Sequence, residues 1–496
     1  PINTFHIAIC YRIAQMAVTW HNRLEKVVCY MLKRINALFG AQDMTEGKPM
    51  SVLLRFSIPL LIGNFAQQMY STVDSIIVGR YVGDKALSSI GTTLPVINLL
   101  LVLFMAVSTG AGIMVAQYYG AKDKESLSRS IGNAMTLVFI SSLVIMAVGI
   151  PLAGQLLTLT KTPVETFDMA YSYLTITLSG ILGVGYYNIV SGILRGLGNS
   201  VFPLLTLLLA SILNIFMDIW FVAGLGMGVA GAAWATIISQ AVSAVLCIAK
   251  LRRMKDVVNL NASNLVPDKK LTGQLLRLGL PAGITQAVFS MSMVFVQALA
   301  NSMGYQVVTC NTAVMRIDGF AMMPNFTFGM AIATFVGQNI GADKMDRVAQ
   351  GTKDILKVSL TTSFVLVACL LLFGENLIRM FTTTEEIINL GVRQIRILAA
   401  GYVAMAISQV FGGIMRGAGD TMPSMWISMF TVVAVRVPLA YILASLTRSP
   451  DHPAGSPDAL FFSLLISWIA GAVCNYLWYR RGTWREKSLV AHEQAA

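Results

Sequence analysis

The sequence of 496 residues carries little charge, since Asp, Glu, Lys and Arg make up only 12% of it. A soluble globular domain carries roughly 25% charged residues. Hydrophobic residues account for 55% of the chain, and its mean hydropathy is +0.68. A soluble protein of this composition would lack the polar surface to cover itself, whereas in a bilayer lipid is the solvent for most of the surface. Composition therefore predicts a membrane protein.

Residue types that build catalytic and metal sites are also scarce. The six cysteines form no C-x-x-C pair, which argues against a zinc site or a disulfide framework. The four histidines lie in the predicted tails or in a loop, which disfavours histidine chemistry in the membrane core. The sequence contains neither a Walker A motif nor H-E-x-x-H. We therefore expect no enzymatic activity, no cofactor and no direct use of ATP.

Long apolar runs are abundant instead. A run of about 20 apolar residues is long enough to cross a bilayer as a helix. The twelve spans that we place lie near 53–79, 86–117, 130–153, 166–193, 201–222, 229–250, 273–300, 308–337, 352–373, 386–414, 422–445 and 459–479. The expected fold class is therefore an all-α polytopic membrane protein.

The remaining charges alternate between the two sides of the predicted membrane. About two dozen Lys and Arg fall in the tails and loops of one side, against about five in the loops of the other. Because cytoplasmic loops carry such a positive excess, both termini are expected in the cytoplasm. The chain is expected in the plasma (inner) membrane. The basic balance also suits contact with anionic lipids. No basic patch with stacking aromatics indicates a nucleic-acid partner.

Three segments of the first half recur in the second half at nearly one spacing. The matched pairs are Leu54–Pro59 with Leu276–Pro281, Gln117–Ala121 with Gln338–Ala342, and Ile193–Asn199 with Ile414–Asp420. Arg195 and Arg416, for example, are 221 residues apart (416 − 195). Each half holds six spans, so both halves enter the membrane in the same direction as a parallel repeat. Such a repeat predicts two six-helix lobes around a central cleft, whose rocking alternates access to a site between them.

The repeat divides the chain into five segments. They are a basic N-terminal extension at 1–43, a first lobe at 44–250, a cytoplasmic linker at 251–272, a second lobe at 273–481 and a cytoplasmic tail at 482–496. The extension has the composition of an interfacial amphipathic helix. The alternative, which we favour, is that Met44 opens the functional protein and the extension is dispensable. We expect the protein to act as a monomer.

Several short segments resemble motifs of the multidrug and toxic compound extrusion (MATE) transporters, within the multidrug/oligosaccharidyl-lipid/polysaccharide flippase superfamily. These segments are Val73–Arg80, Arg195–Asn199, Asn214–Asp218, Val336–Ala342 and Arg416–Asp420. The resemblance extends from about residue 44 to about residue 481, and the order of the motifs together with the twofold repeat makes it specific. It implies a secondary active antiporter that exports amphipathic, often cationic, drugs or metabolites in exchange for Na+ or H+.

Ionisable residues inside the membrane are candidates for ion coupling, because each is costly there unless it is paired or hydrated. Helical rise places Asp74 and Asp218 at similar depth in the outer half of the first lobe, with Asn214 one turn from Asp218 and Thr236 at a similar level. Their oxygens suit Na+, and two close carboxylates also suit H+. The resemblance carries a cation-coupling role onto these four residues, and more weakly onto Asn188. No other metal is expected. Alternatively, the aspartates cap or brace helices.

The second lobe has a different charge pattern. We expect Asp318 to be neutralised by Arg436 or by Arg316, mainly as a structural charge network, with substrate binding or gating as the alternative. Some MATE members carry an acidic residue in the second lobe, but residues 286–290 and 405–409 contain none here. This departure places any cation coupling in the first lobe.

The substrate cleft is assigned from side-chain type and position alone. Flexible methionine side chains suit a promiscuous pocket, although a methionine at helical spacing is more often ordinary core. The candidates for the cleft are Gln67, Gln68, Tyr70, Gln286, Phe289 and Met291.

Three other functions compete with the antiporter. A lipid-linked saccharide flippase of the same superfamily would be expected to need a more strongly cationic cleft, and the acids of the first lobe argue against it. A membrane-embedded enzyme would need a catalytic cluster at the interface, and a scaffold would leave the buried aspartates unexplained. The partners that we expect are small amphipathic or cationic molecules and membrane lipids.

The charge asymmetry predicts a topology that reporter fusions in a bacterial host can check. Alkaline phosphatase, which is active only outside the cytoplasm, should be inactive when fused to the C-terminus and active when inserted into the loop at 447–457. Green fluorescent protein at the C-terminus should fluoresce. Phosphatase activity at the C-terminus would reverse the assigned orientation.

Overall fold

The computed structural model describes residues 41–160, 162–450 and 452–490. In this part of the chain, 11 helices are long and apolar enough to cross a membrane, or 12 when one bent pair counts as a single span. The prediction of an all-α polytopic fold is confirmed. Residues 1–40 of the predicted extension and 491–496 of the tail lie outside the described residues.

The first half forms the six predicted spans from seven helices of the described chain. They are α1 (Pro49–Tyr81), α2 (Asp84–Gly120), α3 (Lys124–Leu159), α4 (Val164–Ser179), α5 (Ile181–Gly196), α6 (Val201–Asp218) and α7 (Gly228–Arg253). The span predicted at 166–193 is bent, because α4 and α5 meet at 52°. A Cβ at Gly180, between them, would lie 2.4 Å from the Cβ of Ile237, so glycine permits the close approach of α7 at the bend.

The second half repeats the arrangement after a linker that contains a short 3₁₀ turn, Ala262–Leu265. Its helices are α8 (Lys269–Ser302), α9 (Tyr305–Gly341), α10 (Met345–Arg379), α11 (Glu385–Gly417), α12 (Thr421–Met429), α13 (Val437–Leu446) and α14 (Asp458–Arg481). A π-helical turn, Phe430–Arg436, joins α12 to α13, and another, Ile219–Gly224, continues α6. Such turns frequently occur at functional sites, and the apolar pattern of the sequence does not reveal them.

The internal repeat is also present in the backbone conformation. Gly83 before α2 and Gly304 before α9 have φ angles of 103° and 105°. Lys122 and Asp343, which follow the same two helices, have φ angles of 58° and 55°. Left-handed conformations are uncommon outside glycine. Their recurrence at equivalent positions shows that the two halves share turn geometry as well as helix order.

Apolar side chains divide between an internal core and an outward surface. Phe335, Ile414 and Trp484 are buried in one cluster that involves α9, α11 and the C-terminal segment. By contrast, Ile212 is 67% exposed and Val245 is 64% exposed. Large apolar side chains on the outside of the bundle are what a protein surrounded by hydrocarbon requires.

Side-chain amides join the two lobes at one end of the helix bundle. We call this end the linker face, because the linker and both ends of the described chain lie there. Gln117 near the end of α2 donates to the carbonyl of Gly417 at 3.0 Å, and Gln338 near the end of α9 donates to the carbonyl of Gly196 at 2.9 Å. The two bonds are equivalent under the repeat. Each glutamine Oε1 also accepts a backbone N–H: the donors are Leu489 for Gln117 and Met44 for Gln338.

Glycines allow α2 and α9 to touch at the same face. A Cβ at Gly120 would lie 1.9 Å from the carbonyl oxygen of Gln338, and one at Gly341 would lie 2.0 Å from the carbonyl oxygen of Gln117. Backbone cannot yield to such an overlap without a shift of the helix. The central cleft is therefore closed at the linker face by direct backbone contact between the lobes.

Replacing Gly341 with valine should force the lobes apart at the linker face. In a background without the native cysteines, spin labels at Glu125 and Asp346, two exposed and equivalent positions, should move apart by several ångströms in electron–electron resonance distance measurements. Gly319→Val is the matched control, because a Cβ at Gly319 on the same helix meets nothing within 4 Å. An unchanged distance distribution in Gly341→Val would show that this contact does not hold the face closed.

Candidate cation site and central cavity

Two carboxyl groups meet between α1 and α6 in the first lobe. Asp74 lies in the C-terminal part of α1, and Asp218 is the last residue of α6, directly before the π-helical turn. The two carboxyl groups are hydrogen-bond neighbours, and Asp218 is fully buried. On each, Oδ1 is buried without a hydrogen-bond partner among the described residues. Two carboxylates this close repel when both are charged, so the pair is suited to hold a proton or a small cation.

Side chains from α6, α7 and α1 surround the pair. Asn214, one turn before Asp218, is fully buried. In the amide orientation that satisfies its neighbours, it donates to Asp218 Oδ2 at 2.8 Å and accepts from the Thr236 backbone N–H at 3.2 Å. Tyr70, one turn before Asp74, hydrogen-bonds the Thr236 side chain. The structure therefore brings together Asp74, Asn214, Asp218 and Thr236, the four principal residues that the sequence assigns to a cation site.

This cluster also includes two tyrosines, Tyr70 and Tyr173, although the sequence does not assign them to it. Tyr70 is a predicted cleft residue, but its hydroxyl lies close enough to Asp74 and Asp218 to interact electrostatically with both. Tyr173 on α4 is buried and interacts with the same two aspartates. Tyr173 packs in one apolar cluster with Val222, which follows Asp218 in the π-helical turn. Its place depends on how α4 packs, and the surrounding sequence contains no signal for that.

Asn188 does not join the cluster. Its side-chain amide donates to the carbonyl of Val184 in the preceding turn at 2.8 Å. Its backbone carbonyl accepts from the Ser108 hydroxyl at 2.9 Å, which braces α5 against α2. Both contacts of Asn188 are structural ones, and its cation-coupling role stays a prediction.

The charged residues of the second lobe do not form the predicted ion pairs. Asp318 accepts a hydrogen bond from the Tyr402 hydroxyl at 2.5 Å. Arg436 interacts with Asp318 electrostatically, but the described side chains form no ion pair between them. Arg316 is exposed on another face of α9 and forms no ion pair with the described side chains either. A phenol, rather than a guanidinium, is the direct partner of this half-buried carboxyl group.

A cavity of about 550 Å³ lies between the lobes. Gln286 and Phe289, both predicted cleft residues, contribute to its wall. Met291 instead is 61% exposed on the outside of α8. Gln67 and Gln68 are exposed on α1 and do not line the cavity. The difference arises because the predicted spacing fixes how far along a helix a residue lies but not which way its side chain points.

Two segments of the chain, residues 59–220 and 281–442, match the MatE family model. The second match begins 222 residues after the first (281 − 59), so each lobe carries the family pattern separately. The chain belongs to the MatE family. Members of this family are transporters rather than enzymes, and the resemblance drawn from the sequence motifs is confirmed.

Curated relatives of this MatE protein are similar over nearly their whole length. The probable multidrug resistance protein YoeA of Bacillus subtilis is 27% identical, over 88% of this chain and 94% of its own. The probable multidrug resistance protein NorM of Thermotoga maritima is 26% identical, over 89% of this chain and 94% of its own. The similarity therefore covers nearly the full length of both relatives.

Solved structures give the same result for the fold. A crystal structure of MATE in the bent conformation superimposes with a TM-score of 0.82 at 25% identity, over 91% of this chain and 98% of that one. A transporter of the superfamily from Pyrococcus furiosus superimposes with a TM-score of 0.82 at 25% identity, over 89% and 97%. That structure is described as having a binding pocket of reverse polarity that suggests a different function. The two-lobe transporter architecture of this chain is thereby established.

Asn214→Ala should destabilise this MatE protein more than Asn188→Ala does. The first substitution leaves Asp218 Oδ2 without the amide that donates to it inside the bundle, at an expected cost of about 1–3 kcal/mol. The second removes only a bond within one helix, so we expect a cost below about 1 kcal/mol. Unfolding in mixed micelles of SDS and a mild detergent measures both. Equal destabilisation would show that Asn214 does not organise the carboxyl pair.

Proposed function

We propose that this protein is a secondary active antiporter that exports amphipathic drugs or metabolites in exchange for Na+ or H+ bound at the first-lobe carboxyl pair. The observation that carries the proposal is the pair itself. Asp74 and Asp218 lie together inside the membrane region, and each keeps one buried oxygen without a partner among the described residues. Buried acids of this kind are retained in membrane proteins where they serve ion or proton pathways.

The surroundings of the pair favour a monovalent ion or a proton. Carboxylate, hydroxyl and amide oxygens from Asp74, Asp218, Tyr70, Thr236 and Asn214 provide hard donors suited to Na+. The described residues contain no group of three or more His, Cys, Asp or Glu side chains that could hold a metal ion. A proton shared by the two carboxyl groups would relieve the same repulsion. The proposal therefore includes either coupling ion.

Helix α1 connects the carboxyl pair to the boundary between the lobes. Asn64 lies on α1 less than three turns before Asp74. Its amide donates to the Thr327 hydroxyl of α9 at 3.0 Å. The ring of Phe65 lies 5.8 Å from that of Phe320, also on α9. A change in the charge of the pair alters how α1 is held against α6 and α7, and the same helix carries the contacts to the second lobe. Ion occupancy can in this way bias the arrangement of the lobes.

Because the linker face is closed, the described conformation corresponds to one state of the proposed transport cycle. The positive charge of the loops supports a cytoplasmic linker face. Membership of a multidrug-efflux family is consistent with a location in the plasma, or inner, membrane. On this orientation the cavity is sealed from the cytoplasm by the glutamine and glycine contacts. Separation of these contacts, with closure at the other end, would alternate access as expected for parallel repeats. Each monomer contains both lobes, so the proposed cycle needs no second copy.

The flippase alternative is not favoured, although arginines line the central cavity as a flippase would require. Relatives that cover nearly the whole chain, including YoeA and NorM, are described as multidrug resistance proteins. The carboxyl pair also has no evident use in the flipping of a saccharide lipid.

Asp74→Asn and Asp218→Asn should each abolish ion-driven transport. We would measure uptake of ethidium and of dansyltaurine, a cationic and an anionic fluorescent amphiphile, into inside-out proteoliposomes under separate Na+ and H+ gradients. The native protein should respond to one or both gradients, and either variant should fall to the level of empty vesicles because the ion has lost a carboxylate.

Asp256→Asn, a matched change at an exposed linker position, should transport normally. Gradient-driven uptake that survives in both aspartate variants at normal protein levels would remove the carboxyl pair from the coupling mechanism.

A further inference from the structure

Arginine is the charged residue of the central cavity. Arg195, Arg416 and Arg436 all contribute to its wall, and no Asp, Glu or His does so among the described residues. The other polar groups that face the cavity are neutral hydroxyls and amides, such as those of Gln286 and Asn475. The cavity wall therefore carries three positive charges and no negative one.

Two of these arginines occupy equivalent positions at the ends of α5 and α11. Arg195 precedes Gly196, and Arg416 precedes Gly417, the two residues whose carbonyls join the lobes. The ionisable neighbours of Arg195 are Tyr187 and Cys247, and no carboxylate interacts with it among the described residues. Arg416 donates to the Ser424 hydroxyl at 3.4 Å, also without a carboxylate nearby among the described residues. Both guanidinium groups lie beside the cavity floor without an acidic partner.

The third arginine extends the positive surface along the second lobe. Arg436 is the last residue of the π-helical turn and is only 6% exposed. Its guanidinium lies 5.9 Å from the centre of the Phe289 ring, and its Nε is buried without a hydrogen-bond partner among the described residues. Asp318 is the nearby carboxyl group, but it is held by Tyr402 and does not line the cavity. The described residues in and beside the cavity wall therefore include three guanidinium groups and one carboxyl group.

This charge distribution selects the sign of the ligand. Charges of one sign in a cleft with apolar walls focus the field and attract counter-ions. Guanidinium groups bind carboxylates, sulfonates and phosphates through directed, often bidentate, hydrogen bonds. The remaining wall includes Phe326, Met330 and Trp468, which suit an apolar body of variable shape. A cation in the same place would face three like charges.

We propose that the central cavity binds amphipathic organic anions, namely carboxylates, sulfonates or phosphate esters attached to an aromatic or aliphatic body. The cationic substrates that the MATE resemblance implies do not match the charge of this cavity. The inference rests on the proposed export function in that it names the substrate class, but it concerns equilibrium binding and does not depend on ion coupling.

A pair of probes that differ only in charge tests the assignment. Dansyltaurine and dansylaminoethyl-trimethylammonium share a fluorophore and a two-carbon spacer, and carry a sulfonate or a quaternary ammonium. Binding to the purified full-length protein in detergent, without any gradient, is followed by dansyl fluorescence. We expect the sulfonate to bind at least about tenfold more tightly, the ratio that about 1.4 kcal/mol provides.

Substitutions of the arginines assign the preference to the cavity. Arg436→Gln and Arg416→Gln should each weaken sulfonate binding by about tenfold and leave ammonium binding unchanged or stronger. Arg436→Lys keeps the charge and should retain most of the preference. It is the variant to measure at this position if Arg436→Gln does not fold. Arg316→Gln is the matched control, because Arg316 is exposed on α9 and does not line the cavity.

The possible outcomes separate this inference from the coupling mechanism. Tighter binding of the ammonium probe, equal binding of both, or binding of neither by a folded protein would overturn the proposal. A sulfonate preference that both Arg436→Gln and Arg416→Gln retain would also overturn it. Asp256→Asn, at an exposed linker position outside the cation site and the cavity, should keep the preference in this assay. A sulfonate preference in a protein that no ion gradient drives would therefore leave the inference standing and refute only the proposed coupling.

Discussion

The arrangement of the two lobes depends on a reciprocal capping of helix ends. Gly196 and Gly417 are the last residues of α5 and α11, and the final carbonyls of a helix have no partner within it. Gln338 and Gln117 of the opposite lobe donate to these carbonyls, so each lobe completes a helix of the other. When the linker face opens, both hydrogen bonds are lost and the two carbonyls need other donors. Water is the available donor. The face can therefore open only where water enters, which suits a gate that leads to the cytoplasm.

The same helix ends account for two half-buried arginines that have no acidic partner among the described residues. Arg195 and Arg416 lie in the last turns of α5 and α11, where the helix dipole places partial negative charge. A helix C-terminus stabilises a cation by about 0.3–1 kcal/mol at exposed sites and by up to about 2 kcal/mol at partly buried ones, which is less than an acidic partner would provide. Each arginine directly precedes a gating glycine, so separation of the lobes at this face moves the charges that line the cavity floor. In the proposed cycle, ligand binding and opening of the linker face would thereby be linked through one pair of helix ends.

Much of the fold follows from one-dimensional patterns, since apolar run lengths locate the spans and the recurrence of short motifs gives the parallel repeat. Depth along a helix also follows, because the rise per residue is fixed, and it places Asp74 near Asp218. Rotation about the helix axis and packing between helices do not follow. For that reason Tyr173 is missed, Gln67 and Gln68 are assigned to a cleft that they do not reach, and Asp318 is paired with an arginine instead of Tyr402. Arg195 and Arg416 illustrate the same limit: the sequence places them in repeated motifs, and only the tertiary packing shows that they line the cavity.

The sign of the substrate decides which force drives the proposed cycle. Entry of one monovalent cation at the Asp74 and Asp218 pair moves one positive charge inward. Exit of a monovalent anion moves the equivalent of a second, whereas exit of a monovalent cation would cancel the first. Each charge that crosses a potential of 100 mV, negative inside, is worth about 2.3 kcal/mol. An exchange that moves two charges would therefore draw about 4.6 kcal/mol from the potential alone, enough for a concentration ratio of roughly three orders of magnitude. An arginine-lined cavity in one place and a carboxyl pair in another would thus allow the membrane potential to act on both halves of the exchange.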